Sequence, residues 1–568
     1  IVSNPFVEAI ARQVSCAAGI GEEKLINLIE IPPNLEMGDY SVPCFGLAKI
    51  FKKSPNQIAR ELSEVIETGD RILEVRPVGP YLNFLVNWSD FVRKTISEIL
   101  TKRKDYGCSK EGVGKIVVID FSSPNISKPF TIAHIRTTVI GHSLSRLYSA
   151  LGWKVVGINH LGDWGAPHGM NIAAYKRWGD REAVKKNPPH ELFNLYVRFN
   201  AELEDDPSLK EEARMWTQKL ESEDSEAIQL WKWFREETLK DFDRVYRWME
   251  VSFTEVIGES FFRDKVEPVV NKLKEKGLAV ESEGALVVLL DDYNMPPCIL
   301  QTGHGTSVYH SRDLAAAIYR KEKFNFDRMI YTTDAGQSLH FRQVFKVLEL
   351  MGYKWAKNCA HVPFGVISFK KARMSTRRGN VIFLEDVLKR AVELVQKIIE
   401  EKNPELSDKG GVARDVGIGA VVYADLNSRR TRDVVFDWDE VLNFNGETGP
   451  YIQYTHARYR SVLRKYGREV SISDLDFSLI TEREAIALVR CLELFPSQIQ
   501  KAVHNDEPSF VAKYLIELCS VANQFYNSHR VISDDLALTR IRIALVHCIT
   551  VVLAQGLFLL GMKAPEEM

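Results

Sequence analysis

A strand–turn–helix–strand unit between residues 115 and 158 constrains the fold of this chain more than any other feature. Residues 115–121 form a short, apolar and β-branched run, as expected of a strand that is buried on both faces. A polar turn follows, then a helical pattern with an apolar stripe that ends near Leu151 and Gly152, and a second strand begins at residue 154. Because a helix joins two strands that run the same way, we predict a parallel sheet covered by helices.

Composition places the chain among ordinary soluble globular proteins. It has 568 residues, 45% hydrophobic and 26% charged, and at roughly 150 residues per domain we expect about three to four domains. The net charge of −2 excludes a globally basic surface, so a polyanionic partner must be held by local patches. The eight cysteines include no C-x-x-C pair, which argues against a cysteine-rich zinc site and favours a reducing compartment. We therefore predict no metal ligands in the protein and a cytoplasmic location.

One segment could be mistaken for a membrane span. Residues 543–562 contain no Asp, Glu, Lys or Arg. The neighbouring segments are amphipathic, so we predict a buried helix of a bundle and no membrane partner.

The rest of the chain alternates strand and helix patterns before it becomes helical. Residues 167–231 are charged and helical and are interpreted as an insertion. Further strands are predicted near residues 285–290, 307–309 and 328–332, and beyond about residue 383 the pattern is almost entirely helical. The fold class is therefore multidomain α/β.

The turn after the first strand carries the first candidate site. Residues 125–136 read NISKPFTIAHIR, a polar loop that opens a helix at the end of a parallel strand. Ligands bind at such strand ends, and the free N–H groups of a helix N-terminus favour phosphate. Lys128 and His134 would add donors there. The alternative is a capped helix with a surface lysine and a histidine whose hydrogen bonds are satisfied.

A cationic loop is the second candidate site. Residues 371–380 read KARMSTRRGN, and three arginines with a glycine could wrap a triphosphate. Alone, this motif also fits an ordinary solvated loop.

A basic and aromatic segment near the C-terminus indicates RNA. Arg460, Arg464 and Arg468 recur at a helical spacing of four, interleaved with aromatic side chains that include Tyr451, Tyr454 and Tyr459. Cations on phosphates and rings on unstacked bases are what single-stranded RNA requires. The alternative is a solvated basic face with tyrosines in the core.

Together these motifs resemble the class I aminoacyl-tRNA synthetases, and most closely the arginyl-tRNA synthetases. The likeness covers nearly the whole chain in order. It rests on FSSPNISKPF at 121–130, LGDWG at 161–165, SRDLAAA at 311–317, MSTRRG at 374–379 and YIQYTHAR at 451–458.

The resemblance implies a Rossmann-like catalytic domain with an additional tRNA-binding domain before it and a helical anticodon-binding domain after it. The expected boundaries are 1–108 for the N-terminal α+β domain and 115–372 for the catalytic domain, with insertions near 167–231 and 259–306. Residues 373–568 would form the signature loop, the stem and the anticodon-binding domain. The implied substrates are ATP, with Mg²⁺ on its phosphates, and L-arginine, with tRNA(Arg) as the partner. The family usually activates arginine only with its tRNA bound, and a monomer is expected.

The resemblance also assigns site residues. The catalytic residues would be Lys128, Thr131, His134, Arg373, Ser375 and Arg377. Arginine would be bound by Ser123, Pro124, Asn125, His134, Tyr309, Asp313 and Gln337. ATP would be bound by Lys128, Thr131, His134, Met374 and Ser375. The tRNA would be bound by Tyr451, Tyr454, Arg458, Arg460 and Arg464, with further phosphate contacts from Arg429, Arg430 and Arg432.

Several positions depart from the family pattern. Thr131 and Ala133 stand where the H-x-G-H element has its first histidine and its glycine. Arg373 and Thr376 replace the two lysines of the K-M-S-K-S loop, and Asp120 stands where Glu is more usual. We predict that Lys128 supplies the cation that position 376 lacks.

Some assignments leave alternatives open. A carboxylate can accept two parallel hydrogen bonds from a guanidinium, which suits Asp313, but Asp313 could instead cap the helix that follows it. Gln337 alone resembles a surface loop residue, and Glu259 is as compatible with a solvated turn as with the pocket. For the whole chain, the rivals are a cysteinyl-tRNA synthetase and a catalytically silent RNA-binding paralogue, the latter favoured by Thr131.

Overall fold

A computed structural model describes residues 5–32, 37–302, 309–369 and 381–568 of the chain. They form two compact units. The first comprises the described residues of Ile1–Thr101, Tyr466–Glu493 and Val521–Cys548, and the second those of Lys102–Lys465, Leu494–Ser520 and Ile549–Met568.

The first unit contains a three-stranded antiparallel sheet with order β1-β3-β2. Gly79, with φ of +59°, turns the chain between the second and third of these strands, which pair as an antiparallel hairpin. The elements of the N-terminal part are α1 (Pro5–Ala18), α2 (Glu22–Ile26), β1 (Tyr40–Pro43), α3 (Phe45–Phe51), α4 (Pro55–Val65), β2 (Ile72–Val78), β3 (Tyr81–Val86) and α5 (Trp88–Lys102).

The second unit is built on a five-stranded sheet in which every pair is parallel, as predicted. Its order is β11-β10-β4-β5-β6. The strands are β4 (Ile116–Asp120), β5 (Lys154–Leu161), β6 (Glu255–Gly258), β10 (Arg328–Asp334) and β11 (Cys359–Phe364), and α6 (Ala133–Ala150) joins the first two. Val117, Val118 and Ile119 of β4 are completely buried, which explains why this strand is apolar on both faces.

The strand order places a cleft at the edge of this sheet. From β4 the chain continues to β5 and β6 on one side, whereas β10 and β11 lie on the other. The polar turn after β4 and the carboxyl end of β10 therefore meet where the order reverses, which is the position at which open α/β sheets bind ligands.

Two insertions interrupt the sheet. The segment predicted as a helical insertion is helical, and its helices continue to residue 248: α7 (Ala166–Trp178), α8 (Arg181–Lys186), α9 (Pro188–Asp205), α10 (Ser208–Glu221) and α11 (Ser225–Trp248). The second insertion contains α12 (Arg263–Glu275) and an antiparallel sheet of β7 (Ala279–Ser282), β8 (Ala285–Val288) and β9 (Cys298–Gln301). The strand predicted near 307–309 is wrong at Tyr309, which begins α13 (Tyr309–Phe324).

The remaining elements are mostly helical, as predicted, apart from a short parallel pair, β12 (Ile367–Phe369) with β13 (Val434–Phe436). The helices are α14 (Ser338–Leu350), α15 (Leu384–Lys402), α16 (Lys409–Leu426), α17 (Trp438–Val441), α18 (Gly449–Tyr466), α19 (Arg483–Glu493), α20 (Phe495–His504), α21 (Ser509–Ser528) and α22 (Leu536–Leu559). Helix α22 is long and apolar enough to cross a membrane, but 78% of its most hydrophobic window is buried inside the protein. This burial agrees with the predicted bundle helix.

Candidate active site

The turn after β4 adopts a strained conformation that is held on several sides. Ser122 and Ser123 both have positive φ, +69° and +48°, which costs a non-glycine residue about 1–3 kcal/mol. The Ser122 hydroxyl lies 2.8 Å from Thr138 Oγ1 and 2.7 Å from Tyr246 O–H, and Ser123 N–H donates to Asn159 Oδ1. These bonds fix the path of the chain out of the strand and into the cleft.

The loop that follows is joined to the end of β5. Ile126 N–H donates to the Gly162 carbonyl, and Gly162 N–H donates to the Pro124 carbonyl, both at 3.1 Å. Asn125 Oδ1 accepts from Ser127 N–H at 2.9 Å, which orders the turn ahead of Lys128. Lys128 is partly exposed, and among the described residues its ammonium forms no ion pair.

His134 lies in the first turn of α6 as a neutral imidazole. Its Nδ1 lies 3.1 Å from both the backbone nitrogen and the hydroxyl of Thr131 and 3.3 Å from the Thr131 carbonyl oxygen. Burial lowers the pKa of His134 to about 4, and the nearby charge of Lys128 acts in the same direction. Near neutral pH, His134 is therefore an uncharged hydrogen-bond donor at the helix N-terminus.

The start of α6 is also paired with the chain near residue 383. Ile132 N–H donates to the Ile382 carbonyl and Leu384 N–H donates to the Phe130 carbonyl, both at 2.9 Å. The phenyl ring of Phe383 stacks on His190 of α9 with 3.6 Å between ring centroids. The predicted site residues Arg373, Met374, Ser375 and Arg377 lie outside the described residues.

Asp313 lies within α13, so the alternative that it caps this helix is wrong. Its Oδ2 accepts from His340 Nε2 at 2.6 Å. Burial acts to raise the pKa of Asp313, but the hydrogen bond from His340 and nearby positive charge outweigh it, and the pKa is lowered overall. The carboxylate is therefore ionised at neutral pH. Tyr309, one turn earlier, is 64% exposed.

Two other carboxylates of this region are paired with arginines. Arg312 Nη1 donates to Glu259 Oε2 at 2.7 Å, and buried Arg320 lies 2.7 Å from Asp120 Oδ2. Burial raises the pKa of Glu259 to about 7, and Arg312 only partly offsets it. The Glu259 side chain is only 13% exposed, so the solvated turn that the sequence left open is wrong.

A cleft of about 410 Å³ joins several of these groups. Its lining includes Ser123 from the turn after β4, His134 from α6 and Gln337 from the turn after β10. Gln337 donates to Asp334 Oδ2 at 3.1 Å. Ser123 Oγ in turn donates to Asp120 Oδ1 at 2.7 Å, and the other oxygen of Asp120 holds Arg320. Of the residues assigned to arginine, the cleft lining thus includes Ser123, His134 and Gln337 but neither Tyr309 nor Asp313. Of the described residues assigned to ATP, it includes His134 but neither Lys128 nor Thr131.

Sequence reasoning missed two members of this region. Arg320 is seven residues after Asp313, so the two share a face of α13, and the helical pattern could have identified it. His340 comes from α14, and no local signal links it to Asp313.

Two arginines of the predicted RNA-binding face pair with a residue near the C-terminus, Glu566. Arg464 Nη1 donates to the Glu566 carbonyl at 2.8 Å, and Arg460 Nε pairs with the Glu566 carboxylate at 2.5 Å. Tyr454 is 44% exposed, whereas Tyr459 is completely buried and belongs to the core. The remaining predicted members, Tyr451 and Arg458, lie on the same helix, α18.

Two arginine assignments need correction. Helix α18 ends at Tyr466, so Arg468 does not share its face as predicted. Arg430 donates to the carbonyls of Pro363 and Asp506, so its guanidinium is engaged in the fold, whereas Arg429 and Arg432 are exposed.

Comparison with known proteins agrees with this arrangement. Residues 95–438 match the family of class I tRNA synthetases for arginine, catalytic domain. Residues 452–568 match the DALR anticodon-binding domain, and residues 5–86 the N-terminal domain of arginyl-tRNA synthetases.

Individual relatives match over nearly the full length. The chain is 47% identical to the arginine–tRNA ligase of Alkaliphilus metalliredigens and 46% identical to that of Clostridioides difficile, with 97% of each chain covered in both cases. Among solved structures, its fold is similar to that of Thermus thermophilus arginyl-tRNA synthetase, with a TM-score of 0.80, 24% identity and full coverage of both chains. The cysteinyl alternative is wrong. The chain belongs to the arginine–tRNA ligases, class I aminoacyl-tRNA synthetases that activate L-arginine with ATP and transfer it to tRNA(Arg).

Proposed function

We propose that the substrate guanidinium binds at Asp313. It would bind there because the two other carboxylates of this region are already paired with arginines of the chain. Of three neighbouring carboxylates, Glu259 is paired with Arg312 and Asp120 with Arg320, whereas Asp313 holds a histidine. One carboxylate without an arginine partner among the described residues suits one substrate guanidinium, which forms strong parallel hydrogen bonds to a carboxylate. This pairing pattern is the observation that carries the proposal. Tyr309 would flank the guanidinium from the same helix.

The other end of arginine would lie at the turn after β4. Ser123, Pro124 and Asn125, with Gln337 across the cleft, would position its carboxylate for attack on the α-phosphorus of ATP. A bond forms between the carboxylate oxygen and phosphorus, and pyrophosphate leaves with the electrons of the broken bond. The attacking carboxylate is already ionised, so no general base is required, and the protein contributes positioning and charge stabilisation.

Charge developing on the α-phosphate would be stabilised from the N-terminus of α6. His134 would donate from its ring N–H, Thr131 from its hydroxyl, and Lys128 would supply the positive charge. Arg373, Met374, Ser375 and Arg377 would complete the nucleotide site from the signature loop.

Mg²⁺ would enter the site as the ATP complex. Among the described residues, no group of three or more His, Cys, Asp or Glu side chains is arranged to hold a metal ion. Magnesium commonly keeps several waters and is bound mainly through substrate phosphates. A site of this kind does not need a set of protein carboxylates that surrounds the ion.

The tRNA would contact the chain outside this cleft. Tyr451, Tyr454, Arg458, Arg460 and Arg464 would form the anticodon-binding face. In this proposal residues 1–108 form an additional tRNA-binding domain, 115–372 the catalytic domain, and 373–568 the signature loop, stem and anticodon-binding domain. The enzyme would act as a cytoplasmic monomer without a membrane partner.

An omission assay separates an active enzyme from a silent RNA-binding paralogue. Charging of tRNA(Arg) with labelled arginine should require arginine, ATP and tRNA together, and lysine should not replace arginine. Binding of tRNA without any charging would identify the chain as the silent paralogue.

A further inference from the structure

The LGDWG motif contains a buried aspartate, Asp163, to which the resemblance assigns no substrate. Asp163 follows β5 and is completely buried. Its Oδ1 accepts from Ser260 N–H at 2.8 Å, and its Oδ2 accepts from Ser260 Oγ at 2.9 Å and from Arg235 Nε at 3.0 Å. A buried carboxylate with this many donors fixes the segments that supply them.

The bonds to Asp163 define the turn that carries Glu259. Gly258 ends β6 in register with Leu161 of β5, and a Cβ added at Gly258 would lie 2.0 Å from Asp163 Oδ2. Ser260, on the other side of Glu259, is bonded to both carboxylate oxygens of Asp163. Both sequence neighbours of Glu259 are therefore fixed in position by Asp163.

The same aspartate connects this turn to the helical insertion. Trp231 Nε1 donates to the Asp163 carbonyl at 2.7 Å, and Arg235, one turn later on α11, donates to its carboxylate. The turn is thus braced against a long helix as well as against the sheet.

We propose that Asp163 is a positioning residue for arginine specificity, which acts by holding Glu259 and its partner Arg312 beside Asp313. Arg312 precedes Asp313 in α13, so the Glu259–Arg312 bond links the braced turn to the helix that carries the guanidinium acceptor. Movement of Glu259 would break its bond to Arg312 and leave that guanidinium unpaired next to the Asp313 carboxylate, which among the described residues holds only His340, so that Arg312 would compete with the substrate guanidinium. The proposal rests on the arginine site proposed above.

The test is a double-mutant cycle in the full-length enzyme, read by tRNA-dependent ATP–pyrophosphate exchange. Asp163→Asn keeps the shape of the side chain and removes its charge, and it should raise the KM for arginine about tenfold while the KM for ATP stays within about twofold. Glu259→Gln should raise the KM for arginine by a similar factor. The double variant should resemble Glu259→Gln alone, because residues that act through one contact are not additive.

Controls separate this role from general stability. Asp264→Asn, an exposed carboxylate on α12, should leave both KM values unchanged. If Asp163→Asn does not fold, Ser260→Ala and Gly258→Ala, which disturb the same turn, should reproduce the arginine-specific effect, and thermal melting monitors their stability.

The outcomes are distinct. A lowered melting temperature with an unchanged KM for arginine, in Asp163→Asn or in both turn variants, would overturn the positioning role, as would fold-changes that multiply in the double variant. If Asp313→Asn leaves the KM for arginine unchanged, the proposed arginine site itself fails. An effect of Asp313→Asn without one of Asp163→Asn would overturn only this inference.

Discussion

Replacement of Asp313 by asparagine tests the proposed arginine site with little change in shape. In the structure, one oxygen of Asp313 accepts from His340 Nε2 at 2.6 Å. An asparagine would keep its oxygen toward His340 and turn its NH₂ group toward the substrate, so that donors of the guanidinium would face another donor. Loss of a charge-assisted hydrogen bond costs about 1.5–3 kcal/mol, which corresponds to a roughly 10- to 150-fold weaker binding of arginine.

The assay is tRNA-dependent ATP–pyrophosphate exchange over a range of arginine concentrations. Asp313→Asn should raise the KM for arginine by that factor and leave the KM for ATP nearly unchanged. Citrulline has an uncharged urea in place of the guanidinium, so the preference for arginine over citrulline should narrow. Asp292→Asn, which changes an exposed carboxylate of the second insertion, is the matched control. An arginine KM within about twofold of the wild type would refute the assignment.

Three further predictions concern Lys128 beside the N-terminus of α6, the predicted RNA-binding face of α18 and the buried His168. Lys128→Ala should lower kcat by about 10² to 10³ with a much smaller change in the KM for ATP. Near-normal ATP–pyrophosphate exchange by this variant at saturating tRNA would show that another residue supplies the positive charge at the α-phosphate. Reversing charge at Arg460 and Arg464 should weaken tRNA binding and lower the slope of log K against log salt by about 0.7–0.9 per lost phosphate contact. Glu566→Gln should have the opposite effect on tRNA binding because it frees Arg460, whereas Arg464 keeps its bonds to the Glu566 carbonyl and the Glu567 carboxylate. An unaltered salt slope in both experiments would place this face outside the complex. Burial lowers the pKa of His168 from its ordinary value of 6.5 to about 4, so the unfolded chain binds the proton first and the free energy of unfolding falls as pH drops from 6.5 toward 4. His168→Phe should remove about 2 kcal/mol of this loss between about pH 6.5 and 5, measured by urea melts, and parallel pH curves for the two proteins would contradict the prediction.

Local sequence patterns predicted three strands of the parallel sheet, β4, β5 and β10, because these strands carry their own signal, whereas β6 and β11 were not predicted. A strand buried on both faces must be apolar, and β4 is, so the strand and its crossover helix could be located without the rest of the chain. The two conformationally unusual serines after it were placed correctly as a turn, but their positive φ values depend on bonds from distant elements such as Tyr246.

The charge pairing of the site could not be predicted in the same way. The Asp120–Arg320 and Glu259–Arg312 pairs join residues that are 200 and 53 positions apart in sequence, so they depend on how the sheet and α13 pack. The error at Arg468 arose because periodicity continues past Tyr466, where the helix ends. The pairing of Arg460 with Glu566 is likewise a long-range contact that a helical wheel does not show.

A crystal structure of the enzyme with tRNA(Arg) and a nonhydrolysable arginyl-adenylate analogue would test the central claim most directly. The guanidinium should lie against the Asp313 carboxylate with two N–H···O bonds of about 2.7–2.9 Å. The Glu259–Arg312 and Asp120–Arg320 pairs should remain intact beside it. A guanidinium bound elsewhere, or an Asp313 carboxylate that contacts only His340 in the complex, would contradict the account.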